Sequence, residues 1–312
     1  MYTVMQILYE HPTWFDLLFS ELDRRGVPYE RVHAARLLID PENQEFPDLV
    51  VNRMSPSAYK RDHGNAIFTT RDYLLHLDQN SIPVVNGIDA YSVEISKSRQ
   101  LDLFRSVGVS YPKARVINHP SRAVDAARGL RFPVVLKPNI GGSGAGITRF
   151  DSLDQLAAAD LQLGIDSTAL VQEFLTARGG YITRIEILDN QFLYAIRVYP
   201  DLTSFNLCPA DICQVNPGLE ACPAPDAGKK KLRIERDEPS EEAIRGALAL
   251  ARAARLDVGG IEFLINDQDG SICYYDINAL SNFVTDAVNV VGFDPTARFV
   301  DYLEARVAEY AH

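Results

Sequence analysis

The segment over residues 1–92 alternates between short apolar stretches and amphipathic ones, and this alternation restricts the fold more than any other feature. WFDLLFSELDRRG and TTRDYLLHLDQN have helical spacing, whereas the stretches between them are typical of strands: TVMQILY, PYERVHA, PDLVVNRM and IPVVNG. Strands that alternate with helices favour a parallel sheet, because a parallel connection needs a crossover. We therefore predict an α/β unit over residues 1–92.

The pattern changes after this unit. SKSRQLDLFRSVG is typical of a helix with Ser96 as its N-cap and Gly108 as its end. YITRIEILDNQFLYAIRVYP alternates and breaks at Asp189-Asn190, and VGGIEFLI and SICYYDIN alternate in the same way, so each pattern predicts a hairpin. We predict α+β structure with antiparallel sheets, divided into units over residues 93–172 and 173–312.

The composition excludes several classes of partner and site. A net charge of −11 argues against binding to duplex nucleic acid or to an anionic membrane, since both need a surplus of cations. No apolar run approaches the ~20 residues that cross a bilayer, and the opening lacks a signal-peptide pattern. Four cysteines are few for a disulfide framework, and Cys208, Cys213 and Cys222 lack the paired spacing of zinc sites. We expect a cytoplasmic protein with free thiols.

A glycine-rich stretch follows one of the apolar segments. Lys137 lies at the end of VVLK, and four of the six residues 141–146 are glycine. Glycines let backbone N–H groups approach phosphate oxygens, and a lysine adds a point charge. The stretch is not a P-loop, since no GK[ST] ends it, and ITRF continues as a strand rather than a helix. An ordinary hairpin tip is the alternative, but we favour a flexible loop that closes over phosphates.

The second hairpin carries a set of oxygen ligands. A three-residue loop over residues 268–270 places Glu262 opposite Asp276, and Asn278 follows on the same face. Two carboxylates and an amide oxygen are ligands of the kind that Mg2+ prefers. The alternative, a solvated polar face, fits less well, because opposed carboxylates repel each other without a cation.

A third element is the stretch VQEFL, residues 171–175. A strand that runs into a loop offers backbone N–H and C=O groups that can bind the edge of a purine. Glu173 could bind a ribose or the exocyclic amine. By itself the stretch does not differ from an ordinary buried strand.

Taken in chain order, these elements resemble the ATP-grasp superfamily: Lys97 at the start of a helix, Lys137 before the glycine loop, the QEFL segment, and the E…DxN hairpin. PDLVVNRMSP, IPVVNG and SKSRQLDLFRSVGVSYPKA follow the pattern of the RimK-type glutamate ligases and of glutathione synthetase. The resemblance implies a pre-grasp domain before a two-lobed ATP-grasp fold. It also implies an ATP-dependent carboxylate–amine ligase that acts through an acyl phosphate.

The resemblance also implies roles for individual residues. The ATP phosphates would be held by Lys97 and Lys137, beneath a lid formed by Gly141, Gly142, Ser143, Gly144 and Gly146. The adenine and ribose would be held by Gln172, Glu173, Phe174 and Leu175. Two Mg2+ ions, with Mn2+ as an alternative, would be held by Glu262, Asp276 and Asn278. The catalytic residues facing the phosphates and the acyl phosphate would be Arg184, Arg197 and Asn206.

Four departures from the family pattern concern the substrates. Ser96 replaces an acid before the first lysine, Ile182 replaces an aspartate, LCPADIC follows Asn206, and residues 279–282 replace the usual turn. The carboxylate and the amine, both expected to be small molecules, therefore stay unassigned, as does assembly into a homo-oligomer. Two alternatives remain open: an ATP sensor or scaffold without chemistry, and a kinase that phosphorylates a carboxylate without forming an amide.

Overall fold

A computed structural model describes residues 5–42, 45–142, 144–200 and 232–310. Its N-terminal sheet is parallel, with strand order β2-β1-β3-β4. The strands are β1 (Met5–Tyr9), β2 (Tyr29–His33), β3 (Leu49–Arg53) and β4 (Val84–Val85). The connecting helices are α1 (Asp16–Arg25) and α2 (Gly64–Gln79). The sequence predicted all six elements, although α2 begins before the predicted segment.

Two helices connect this sheet to the rest of the chain, α3 (Ile88–Glu94) and α4 (Lys97–Val107). The sequence analysis missed α3. The predicted ends of α4 are confirmed: the Ser96 hydroxyl accepts a hydrogen bond from the Arg99 amide, and Gly108 adopts a left-handed φ of 80°.

The second sheet is antiparallel, with order β5-β8-β6-β7. Its strands are β5 (Ala114–Ile117), β6 (Val134–Pro138), β7 (Thr148–Phe150) and β8 (Ala169–Glu173). Its helices are α5 (Ala123–Ala127) and α6 (Leu153–Ala158). The glycine-rich stretch joins β6 to β7, as predicted.

The third sheet is antiparallel and has five strands in the order β11-β10-β9-β12-β13. These are β9 (Ile182–Leu188), β10 (Gln191–Tyr199), β11 (Arg233–Asp237), β12 (Val258–Ile265) and β13 (Ile272–Asn278). The helices that accompany this sheet are α7 (Glu241–Ala253), α8 (Ala287–Val291) and α9 (Pro295–Tyr310). Both predicted hairpins are present, whereas β11 and α8 were not predicted.

The two faces of the five-stranded sheet pack against different partners. Ile182, Tyr194 and Ile196 share a core with the N-terminal sheet and α9, and we call this side the inner face. Ile185 and Ala195 share a core with α7, and we call that side the α7 face. No helix in the described part of the chain is long and apolar enough to span a membrane. The domain boundaries proposed from the sequence stay predictions.

Candidate nucleotide and metal site

The hairpin β12–β13 places Glu262 directly opposite Asp276, as predicted, but not by the predicted route. Next to the turn, Ile265 pairs with Ile272 and Phe263 pairs with Tyr274. The register then shifts by one residue, so that Tyr275 forms a β-bulge and Asp276 pairs with Glu262. The bulge therefore brings both carboxylates, together with Asn278, to one face.

Both predicted lysines lie beside this hairpin. The Nζ atom of Lys97, the first residue of α4, is 3.2 Å from the Oδ1 atom of Asp276, and that of Lys137, in β6, is 4.0 Å from the same oxygen. The Nζ atom of Lys137 also donates a hydrogen bond of 3.3 Å to the Tyr275 carbonyl. Both lysine side chains are almost fully buried. Three distant segments of the chain thus converge on one carboxylate.

The two carboxylates differ in their electrostatic environment. Burial alone would raise the pKa of Asp276, but Lys97 and Lys137 outweigh burial and lower it. Burial raises the pKa of Glu262, and the nearby Arg184 offsets this only in part, while the charge of Asp276 raises it further. The charged form is therefore stabilised at Asp276, whereas the pKa of Glu262 lies above its ordinary value and a further cation would lower it.

The two lysines differ in the same way. Burial acts to lower the pKa of Lys97, but the closer contact with Asp276 outweighs burial and raises it. Burial lowers the pKa of Lys137 to about 8, because its distance to Asp276 is greater and Lys97 repels it. A second anion at this point would stabilise the charged form of Lys137.

Arg184 lies on the inner face, at the bottom of the site. Its guanidinium contacts Glu186 at 2.6 Å and Glu262 at 3.0 Å, and it donates to the Ser281 hydroxyl at 3.3 Å. Glu186 is completely buried. It lies two residues after Arg184 in a strand, so alternation could have identified it from the sequence. The guanidinium thereby fixes the orientation of the Glu262 carboxylate.

The donor set fits a hard divalent cation. Two carboxylates and the Asn278 amide offer oxygen ligands. The Asn278 Nδ2 atom donates a hydrogen bond of 3.5 Å to the Glu262 Oε1 atom. The buried Glu186 Oε2 atom has no hydrogen-bond partner among the described residues. Among the described residues no group of three or more His, Cys, Asp or Glu side chains could hold a metal ion, and the present set has two carboxylates and one amide. These residues fit Mg2+ bound together with phosphate oxygens.

The glycine loop lies against the N-terminal unit. The Gly142 carbonyl accepts a hydrogen bond of 3.2 Å from Lys60, and the Gly141 carbonyl accepts one of 3.5 Å from Lys97. Gly144 and Gly146 have left-handed φ values of 69° and 73°, which disfavour other residues. The loop therefore adjoins the lysines, as predicted, while Ser143 lies outside the described residues.

The predicted adenine segment ends β8. Gln172 and Glu173 are both buried. The Glu173 carboxylate accepts a hydrogen bond of 2.9 Å from the Arg131 amide and lies 3.7 Å from the Arg131 guanidinium. Glu173 thus has internal partners, and the binding of a nucleotide by this segment stays a prediction.

The structure does not bring Arg197 to the site. Arg197 pairs with Thr183, the neighbour of Arg184, so the two arginines point to opposite faces of the sheet. On the α7 face, Arg197 contacts Asp237 at 2.8 Å and lies over the Tyr181 ring at 4.7 Å. The expected position of Arg197 beside Lys137 is thereby corrected. Asn206, Cys208, Cys213 and Cys222 lie outside the described residues.

Solved structures share this architecture. The D-alanyl-alanine synthetase A of Vibrio cholerae superposes with a TM-score of 0.68 at 14% identity, covering 99% of this chain and 98% of that one. The ATP-grasp ligase PsnB, in complex with a minimal precursor, gives a TM-score of 0.66 at 18% identity and covers 98% of this chain and 100% of that one. This chain has the ATP-grasp fold.

Sequence comparison gives shorter matches to ATP-grasp enzymes. The D-alanine–D-alanine ligase of Haemophilus influenzae is 31% identical over 133 residues, which cover 40% of this chain and 43% of that protein. The corresponding ligase of Hydrogenovibrio crunogenus is 30% identical over 148 residues, which cover 44% and 47%. The chain thus spans less than half the length of these curated relatives. No family model matches the sequence.

Proposed function

We propose that this ATP-grasp chain is an ATP-dependent carboxylate–amine ligase. ATP would convert a carboxylate to an acyl phosphate, an amine would attack the acyl carbon, and ADP and phosphate would leave. The observation that carries the proposal is the convergence of Lys97, Lys137 and the Glu262–Asp276 pair beside the glycine loop. Two buried cations facing opposed carboxylates suit a polyphosphate with its metal.

The residues of the chain would act through charge and position. Lys97 and Lys137 would neutralise phosphate oxygens, and Arg184 would hold Glu262 in its ligand orientation. Glu262, Asp276 and Asn278 would hold two Mg2+ ions, which supply Lewis-acid stabilisation of charge on the transferred phosphoryl group. The glycine loop would exclude water that hydrolyses the acyl phosphate. No side-chain nucleophile is required, since positioning two reactants can supply up to about 7–11 kcal/mol.

The substrates that we propose are small and amino-acid-like. The curated relatives are D-alanine–D-alanine ligases, and one structural neighbour is the D-cycloserine synthetase DcsG. PsnB was solved with a precursor peptide, so a peptide acceptor is a second candidate. The finer assignments, including the number of metal ions, Mn2+ as a substitute, the cytoplasmic location and a homo-oligomer, rest on the sequence alone.

A screen of amino-acid pairs for ATP-dependent phosphate release, with mass detection of the product, tests the proposal. Hydroxylamine in place of the amine should trap the acyl phosphate as a hydroxamate. ADP and phosphate formed without amide or hydroxamate would favour a carboxylate kinase. ATP binding without any turnover, across carboxylates that include the true donor, would favour a sensor and would contradict the ligase.

A further inference from the structure

Strand β13 carries two of the three proposed metal ligands, Asp276 and Asn278, and lies at the edge of the five-stranded sheet. Residues 276–278 lie opposite β12 along one edge of β13, so the backbone groups that point away from β12 have no neighbouring strand. Unpaired edge groups need other partners when they are buried.

Side chains from earlier in the chain supply these partners. The Gln100 amide donates to the Ile277 carbonyl at 2.9 Å and accepts from the Ile277 N–H at 3.2 Å, as a neighbouring strand would. Glu94 accepts from the Ala279 N–H, and Asn86 donates to the Ala279 carbonyl at 2.6 Å. Arg53 donates to the Ser281 carbonyl. We call these four residues the side-chain ladder.

All four residues of the side-chain ladder are almost fully buried. Arg53 lies in β3, Asn86 in the loop after β4, Glu94 in α3 and Gln100 in α4. Arg53, the first in the chain, bonds to residue 281, and Gln100, the last, bonds to residue 277, so the two segments run in opposite directions. None of the four residues belongs to the strands or helices of the five-stranded sheet. The end of β13 that carries the ligands is therefore held by the N-terminal part of the molecule.

We infer that the side-chain ladder positions Asp276 and Asn278 for metal binding, an inference that rests on the proposed function. A strand bonded along both edges is held in one register, so its side chains keep a fixed direction. Divalent cations demand such fixed ligand positions, and loss of an outer partner typically weakens metal affinity by roughly 10- to 100-fold. The ladder bonds to Ile277, Ala279 and Ser281 through their backbone groups, so its members are positioning residues rather than ligands.

The test measures ADP binding by calorimetry over a series of Mg2+ concentrations, without any turnover. Gln100→Leu keeps the size of the side chain and removes both hydrogen bonds to Ile277. It should raise the Mg2+ concentration that half-saturates ADP binding by about 10-fold or more. Glu94→Gln keeps an oxygen that can accept from Ala279 and should remain near the wild type.

Asn266→Ala is the matched control. It removes a buried amide at the turn end of the same hairpin, where Asn266 accepts from the Gln268 N–H, and it leaves the ladder intact. It should lower thermal stability without changing the Mg2+ requirement. An equal rise in the Mg2+ requirement with Asn266→Ala would overturn the inference, because hairpin stability alone would then explain the effect.

Arg53→Met keeps the inference testable if Gln100→Leu does not fold. The Nε and Nη1 atoms of Arg53 have no hydrogen-bond partner among the described residues, so an apolar replacement removes an incompletely satisfied buried cation. The variant should fold and should still raise the Mg2+ requirement. If the Mg2+ requirement of ADP binding is unchanged in both Gln100→Leu and Arg53→Met, where they fold, the inference about the side-chain ladder is wrong. The proposed ligase function would not be affected by that result. Absence of Mg2+-dependent ADP binding in the wild type would instead overturn the proposed function.

Discussion

The two hairpins of the five-stranded sheet each contain one bulge, and the two bulges have opposite effects on the site. In β12–β13, the extra residue Tyr275 turns Asp276 towards Glu262. In β9–β10, the register shifts between Phe192 and Tyr194, which turns Arg197 away from Arg184. Because strand side chains alternate, one extra residue moves everything beyond it to the other face. The position of a bulge therefore decides which charged residues share a site.

The largest expected effect follows from replacing Asp276, which the bulge at Tyr275 places opposite Glu262. Asp276→Asn should lower turnover by about 1000-fold, because it removes a metal ligand and the anion shared by both lysines. It should also lower the melting temperature of the free protein, since two buried lysines lose their partner. Phosphate release and thermal unfolding measure the two effects. Near-wild-type turnover would show that the hairpin holds no essential metal.

The next effect compares the two arginines directly. Arg184→Lys should lower turnover by about 100-fold, because an ammonium cannot bridge Glu186, Glu262 and Ser281 as a guanidinium does. Arg197→Lys should change turnover by no more than about twofold, since its partner Asp237 lies on the α7 face, away from the carboxylates, and an ammonium retains the charge beside Asp237. Equal losses in the two variants would mean that the face of the sheet does not decide function.

The glycine loop lies beside Lys97, which contacts Asp276 on the inner face. Gly144→Val places a β-branched residue at a left-handed φ of 69°, which costs about 1–2 kcal/mol. We expect the KM for ATP to rise and turnover to fall, together by about 10-fold, while the melting temperature falls by a few degrees. Gly26→Val, at a left-handed φ of 68° at the end of α1 with no atom within 4 Å of the added Cβ, is the control and should leave the KM for ATP unchanged. Unaltered kinetics for Gly144→Val would reduce the stretch to an ordinary hairpin tip.

The smallest effect tests how closely Arg184 is packed. A Cβ atom added at Gly260 would lie 2.4 Å from the Arg184 Nη2 atom, so Gly260→Ala must displace the guanidinium. Since the tip of a flexible side chain can move, we expect about a threefold loss of turnover and a nearly unchanged melting temperature. Gly259→Ala would instead meet the Asn278 carbonyl at 2.4 Å, so it should mainly destabilise the fold. Identical behaviour of the two variants would contradict the separation of the faces.

The sequence was sufficient for features that depend on local pattern. Alternation and turn residues located both hairpins, and the resemblance to the ATP-grasp superfamily singled out Lys97 and Lys137 beside the E…DxN hairpin, where the structure brings them together. The Glu262–Asp276 pairing was predicted with a turn that differs from the real one, and the bulge at Tyr275 compensated for the difference. An unbulged first hairpin with the same turn would have paired Arg197 with Ile182, on the face of Arg184. No local sequence pattern predicts either bulge.

The side-chain ladder depends on long-range contacts that leave no pattern in the sequence. Gln100 and Glu94 look like ordinary polar residues of helices, yet each binds the backbone of β13 from more than 170 residues away. Asn86 has a left-handed φ of 54° and binds both Val258 and Ala279 through one amide. Such long-range contacts between a side chain and the backbone have no periodicity, so pattern analysis cannot find them.

The pairing of Lys97 and Lys137 with Asp276 has a consequence for the order of ligand entry. In the free protein the lysines already neutralise this carboxylate, so a metal ion that arrives alone must compete with two buried cations. A nucleotide gives the lysines new anions and releases Asp276 at the same moment. Ion and nucleotide should therefore enter as one neutralised unit, and each should bind only weakly by itself. Calorimetric titration with Mg2+ alone, ADP alone and the two together would reveal this mutual dependence.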